Sequence, residues 1–149
     1  MIKHIQHRVL LFSFILLPWI FLLSVGCSSK KRLTVDQAIA LIDSSKGRLI
    51  LNDVKEITPE VALKLAEFEG GDLQLNGLTT ISPEIAQALA THRGWLFLNG
   101  LTTVSKEEAV ALAKHESGWL HLQGLETLDD TAVLALRSNM LIRLPKKFQ

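Results

Sequence analysis

The chain holds a single cysteine, Cys27, in 149 residues, and that scarcity removes an intrachain disulfide and a CxxC redox site at once. An excess of charge of one sign is also missing. Sixteen Lys and Arg stand against 15 Asp and Glu, so neither nucleic acid nor anionic lipid is expected as a general partner. Common signatures of catalysis do not occur: no G-x-S-x-G, no H-E-x-x-H, no phosphate-binding glycine loop. No enzyme, cofactor or metal site is expected. The apolar run at residues 9–25 is 17 residues long and interrupted by Pro18, at the short edge of what spans a bilayer core of roughly 30 Å.

What is present begins at that cysteine. Lys3 and Arg8 charge the start, the apolar run follows, and Gly26, Cys27, Ser28, Ser29 lead into the basic run Lys30, Lys31, Arg32. A charged start, an apolar stretch and small residues at its end read as a secretory signal, not as part of a fold. The residues LSVGC at 23–27 resemble the lipobox of bacterial lipoproteins. That resemblance implies diacylglycerol on the Cys27 thiol, cleavage before Cys27 and a fatty-acylated new N-terminus. Ser24 departs from the family, which usually has leucine three residues before the cysteine; here Leu23 stands one step further out. The alternative is an uncleaved membrane anchor, and both export the remaining chain and tether it to a membrane. With Cys27 acylated, no thiol remains for metal ligation or nucleophilic chemistry. Ser28 is not the aspartate that enteric bacteria use for inner-membrane retention, which points towards an outer-membrane lipoprotein facing periplasm or exterior. The expected organisation is a signal peptide at 1–26, a lipidated tether at 27–32, one folded domain at 33–144 and a tail at 145–149. Lys3 and Arg8 leave with the leader, so the remaining 123 residues carry 14 basic and 15 acidic side chains.

After residue 32 the chain repeats itself. GDLQLNGLTTIS at 71–82 recurs as GWLFLNGLTTVS at 94–105 and GWLHLQGLETLD at 118–129, with a weaker copy, GRLILNDVKEIT, at 47–58. A truncated copy closes at Ile142, Arg143 and Leu144. The first leucines, Leu49, Leu73, Leu96 and Leu120, are spaced 24, 23 and 24 residues. Each unit reads as strand, bend and helix. Leu-x-Leu alternation sends both leucines one way and the middle residue the other, and Asn76-Gly77 and Asn99-Gly100 are turn pairs. Thr58-Pro59 and Ser82-Pro83 read as N-cap followed by proline at the first helical position. Thr34 with Gln37, and Ser105 with Glu108, have capping-box spacing. Ala62/Leu65/Ala66, Ala86/Leu89/Ala90 and Ala109/Leu112/Ala113 mark one face of each helix. Gly70-Gly71, Gly94 and Gly118 are expected to end the helices as C-caps. Glu60, Glu84, Glu107 and Glu108 recur at helix starts, where carboxylates complement the dipole and serve capping, not catalysis.

A 23–24-residue unit cannot bury its own apolar face, so the units are expected to stack as a solenoid. The first unit begins with its helix at Thr34 and the last is shortened, as end caps would be. Over residues 33–144 the pattern resembles the leucine-rich repeat. The resemblance implies an α/β fold with a parallel sheet on one face, helices on the other, and protein binding without catalysis. One departure is plain. The family's inward asparagine follows the strand by three residues, where this chain has Val54, Leu78, Leu101 and Leu125. Asn52, Asn76 and Asn99 come immediately after the strand and point outward, so turn formation is their expected role.

Helices on one side leave the other sheet face open. Its outward positions include Arg48, Ile50, Asp72, Gln74, Trp95, Phe97, Trp119, His121 and Arg143. With strands about 4.8 Å apart, Trp95 is expected beside Trp119, and Phe97 beside His121. This aromatic patch, flanked by Gln74 and Arg143, is the candidate surface for a protein or glycan partner. Two readings stay open beside it: the aromatics as cladding that stabilises the sheet, and a structural envelope component that self-associates through its solenoid. His92 and His115 are expected at helix ends, as cations facing the dipole.

Overall fold

The computed structural model describes residues 32–149. The expected signal at 1–26, Cys27 and all of the tether except Arg32 lie outside the described residues. Strands and helices alternate from α1 (Val35–Ser44) through β1 (Arg48–Ile50), α2 (Pro59–Ala66), β2 (Asp72–Gln74) and α3 (Pro83–Ala90). They continue as β3 (Trp95–Phe97), α4 (Lys106–Leu112), β4 (Leu120–His121), α5 (Asp130–Arg137) and β5 (Ile142–Arg143). The fold is α/β: five parallel strands in one sheet, ordered β1-β2-β3-β4-β5, with each helix packed against the next in sequence. A 3₁₀ turn at Lys146–Phe148 follows, and Phe148 packs against the core.

Register follows the leucines. Leu49, Leu73, Leu96, Leu120 and Ile142 are partners across the sheet, and so are Ile50, Gln74, Phe97, His121 and Arg143. The first row is buried, and Leu51, Leu75, Leu98, Leu122 and Leu144 continue it one alternation further on. Against these rows the helices press Ala62, Leu65, Ala86, Leu89, Ala109, Leu112, Ala132 and Leu136, all with no measurable exposure. Alanine lets each helix backbone come close, while each fully buried leucine contributes about 1.5–3 kcal/mol of transfer free energy.

The helix starts form as their sequences require. Thr34, Thr58, Ser82, Ser105 and Asp129 are N-caps whose side-chain oxygens accept from backbone N–H groups three residues on. Both capping boxes close, with Gln37 and Glu108 reaching back to their cap residues. Hydrogen bonds from the Thr58 and Ser82 hydroxyls, then from backbone, hold the Glu60 and Glu84 carboxyls below the usual range.

The helix ends depart from expectation twice. Glu67, Thr91 and Ala113 are the C-caps, in right-handed conformation, and the glycines come later, at the strand entrances. There two segments of backbone run close together. A Cβ on Gly94 would collide with the Gly71 carbonyl, so close approach, not helix termination, requires the glycine. The second correction concerns His92 and His115. Each has only 1% of its surface exposed, and burial pushes both imidazoles below their usual pKa. They are buried rings, not exposed cations at a helix end. His92 Nε2 lies 3.1 Å from the Gly71 carbonyl and His115 Nδ1 lies 3.3 Å from the Ala90 carbonyl. Phe68 stacks on His92 on one side of this row. On the other, Asn139 donates to the Ala113 and His115 carbonyls at 2.9 and 2.6 Å.

The asparagines after the strands do more than turn the chain. The Asn52 side-chain oxygen accepts the Asn76 backbone N–H at 3.1 Å, Asn76 accepts that of Asn99 at 2.9 Å, and Asn99 that of Gln123 at 2.9 Å. They form a ladder along the exposed side of the sheet, each rung satisfying a backbone donor in the next turn.

Candidate functional site

Alternation sends Arg48, Ile50, Asp72, Gln74, Trp95, Phe97, His121 and Arg143 away from the helices, and all are exposed or half-buried. The face changes character along the sheet. At its β1 end Arg48 donates to Asp72 at 2.9 Å, an exposed ion pair. Gln74 follows, its side-chain oxygen facing the Asn52 amide at 3.4 Å. From β3 onward the face is aromatic. Trp95 keeps 47% of its surface exposed.

The rings form one connected group. Phe97 and His121, register partners, stack with centroids 4.5 Å apart and planes 12° from parallel. Trp95 meets both, each at a centroid distance of 6.4 Å and at a tilt. The expected Phe97–His121 pair is therefore present. Trp119 differs from expectation: its ring lies under the Arg143 guanidinium, 3.8 Å from the centroid, while Trp95 leans to Phe97 and His121. Trp119 has Arg143 within reach from the last strand; Trp95 has the short-branched Asp72 and the two rings. The His121 imidazole is pushed below its usual pKa by burial first and by Arg143 second. All six expected contact residues thus lie on one side of the sheet, five of them in two contact groups, Trp95–Phe97–His121 and Trp119–Arg143; Gln74 stands apart from the ring contacts.

Elsewhere the surface offers less. Shallow clefts of about 480 to 620 Å³ lie at helix ends, one along Thr80, Thr103 and Thr127, another between Ala90 and Lys114. Ile39, Leu63, Val110 and Leu134 are exposed, one each on α1, α2, α4 and α5, at the repeat position where α3 has Gln87. Among the described residues no group of three or more His, Cys, Asp or Glu is placed to hold a metal ion. Nor is any described helix long and apolar enough to cross a membrane. No protein-family model, curated protein or solved structure matches the chain.

Proposed function

We propose that this chain is a lipid-anchored, non-catalytic binding protein of the cell envelope. Cys27 carries the lipid, and a leucine-rich-repeat-like solenoid offers its open sheet face to a protein or glycan partner. Support for the solenoid reading comes from register: strand partners lie 23 or 24 residues apart, the period of the sequence copies, at β1 to β4. The observation that carries the function is the connected group of Trp95, Phe97 and His121, with Trp119 under Arg143, on a face that no helix covers. Tryptophan and arginine are enriched among residues whose truncation costs an interface most, and a contiguous exposed apolar patch marks a contact surface more often than scattered residues do.

The test uses the full chain in detergent to capture partners from a native envelope extract, with Trp95→Ser/Trp119→Ser as the comparison. Capture weakened by on the order of 2 kcal/mol or more, with the fold retained, supports the reading. Unchanged capture beside a lowered melting temperature would make the aromatics cladding and end it. Recovery of a second copy of the chain as the captured species would favour the self-associating envelope component instead.

A further inference from the structure

The chemistry of the aromatic face selects its partner, and this inference rests on the binding role proposed above. Part of the aromatic surface is already occupied. Phe97 and His121 cover one another, and Arg143 covers Trp119. Stacking a sugar ring needs a free aromatic face, and Phe97, His121 and Trp119 each have one face taken. The polar groups of the site are donors. Neither the Trp95 nor the Trp119 indole N–H, nor the Asn99 side-chain NH₂, has a hydrogen-bond partner among the described residues, since the ladder uses only the oxygen of Asn99. Arg143 touches the Trp119 ring and has no carboxylate partner among the described residues. The one carboxylate in register with this group, Asp72 beside Trp95, is neutralised by Arg48. Donors and one cation without a carboxylate partner therefore share this face, with no carboxylate left free beside them among the described residues.

The geometry points to an acidic segment of a partner protein as the occupant of this face, seating a carboxylate at Arg143 and apolar side chains against Trp95. The charge complementarity is what commits the site: an anionic, acceptor-rich chain complements the Arg143 cation and the N–H donors, whereas a neutral glycan leaves the cation unpaired and a basic chain is repelled. Electrostatic pairing of this kind governs partner choice and salt sensitivity.

The experiment uses the full chain in detergent micelles and three labelled dodecapeptides that alternate leucine and serine with glutamate, glutamine or lysine. Polygalacturonate at matched carboxylate concentration is the acidic-glycan arm. The glutamate peptide is expected to bind about tenfold or more tighter than the other two, and to weaken as salt rises. Arg143→Glu should reverse the order in favour of the lysine peptide, with circular dichroism showing the variant folded. Glutamine and glutamate peptides binding equally would overturn the inference, as would polygalacturonate binding where the glutamate peptide does not. If no acidic probe binds while Trp95→Ser/Trp119→Ser still loses envelope capture, the binding role survives and the acidic-segment inference alone falls. If Arg143→Glu leaves the peptide order unchanged, Arg143 is not the anion site and the inference also falls.

Discussion

The side-chain oxygen of Asn76 accepts the backbone N–H of Asn99 at 2.9 Å, one strand further along the sheet. Its own amide donates to the Asn52 oxygen at 3.0 Å, so one side chain links three successive turns. Asn76→Ala removes an acceptor from a half-buried donor and should cost about 1–3 kcal/mol. In an Asn52→Ala background, where the amide has no oxygen to meet, Asn76→Asp keeps the acceptor and should cost clearly less than Asn76→Ala. Denaturant melts decide this; equal losses in both variants would mean the oxygen is not the working atom.

The two sides of a strand should respond differently to truncation. Leu98 is wholly buried in the central core, and Leu98→Ala should cost about 2–5 kcal/mol through lost transfer and the cavity left behind. Gln74 lies on the outward face with one long contact to Asn52. Gln74→Ala should stay within roughly 0.5 kcal/mol. Similar costs from the same melts would contradict the observed register.

Acid should loosen the fold through His92 and His115. Each ring has one nitrogen at a backbone carbonyl and the other, His92 Nδ1 or His115 Nε2, buried without a partner. Protonation would add a buried N–H there. Burial depresses both folded-state pKa values; hydrogen bonds to backbone carbonyls oppose this for both rings, the Asp72 charge also opposes it for His92, and His92 itself adds to it for His115. The unfolded chain therefore binds more protons once pH falls below the ordinary histidine value of about 6.5. Stability is fully present above that value and declines as pH drops through it towards the depressed folded values. Melting temperatures from about pH 8 to about pH 5 should fall, and His92→Gln/His115→Gln should flatten the slope. Parallel slopes would show that other groups set the acid response.

Much of this was legible in the sequence because its causes are local. Leu-x-Leu alternation and the Thr58-Pro59 and Ser82-Pro83 caps each act within a few residues, so strands, helix starts and the inward leucines followed directly. What escaped depends on the neighbouring turn. Alternation showed that Asn76 points outward but not that its oxygen reaches the Asn99 backbone. Position showed His92 and His115 near helix ends, but their burial comes from the stack of Phe68, Asn139 and adjoining carbonyls, which only packing assembles. Gly94 looked like a C-cap because the collision it avoids is with Gly71, 23 residues earlier. At the site, Phe97 beside His121 could be read from register, whereas the choice of Arg143 over Trp95 as the neighbour of Trp119 is a matter of side-chain orientation.

The anchor is tested at its sulfur. If Cys27 carries diacylglycerol, Cys27→Ala should abolish incorporation of a clickable fatty acid and leave an unprocessed precursor. Equal label in wild type and variant would rule out lipidation at this residue.

The two tryptophans of the aromatic face should separate cleanly, because their surroundings differ. Trp95 is 47% exposed, with ring contacts to Phe97 and His121. Trp95→Ser should therefore change stability by about 1 kcal/mol or less, while weakening capture by on the order of 2 kcal/mol if this side chain anchors a partner. Trp119 is half-buried beneath Arg143. Trp119→Ser should remove burial together with a cation–π contact of about 0.5–1 kcal/mol, so part of its effect should be a loss of stability. It should also free the Arg143 side chain, and capture should then become less sensitive to Arg143→Ala than in the wild type. Measuring capture and melting temperature on both single variants tests the assignment. Trp95→Ser lowering stability while capture holds would make Trp95 part of the sheet's own cladding, and the site would have to be sought on another face.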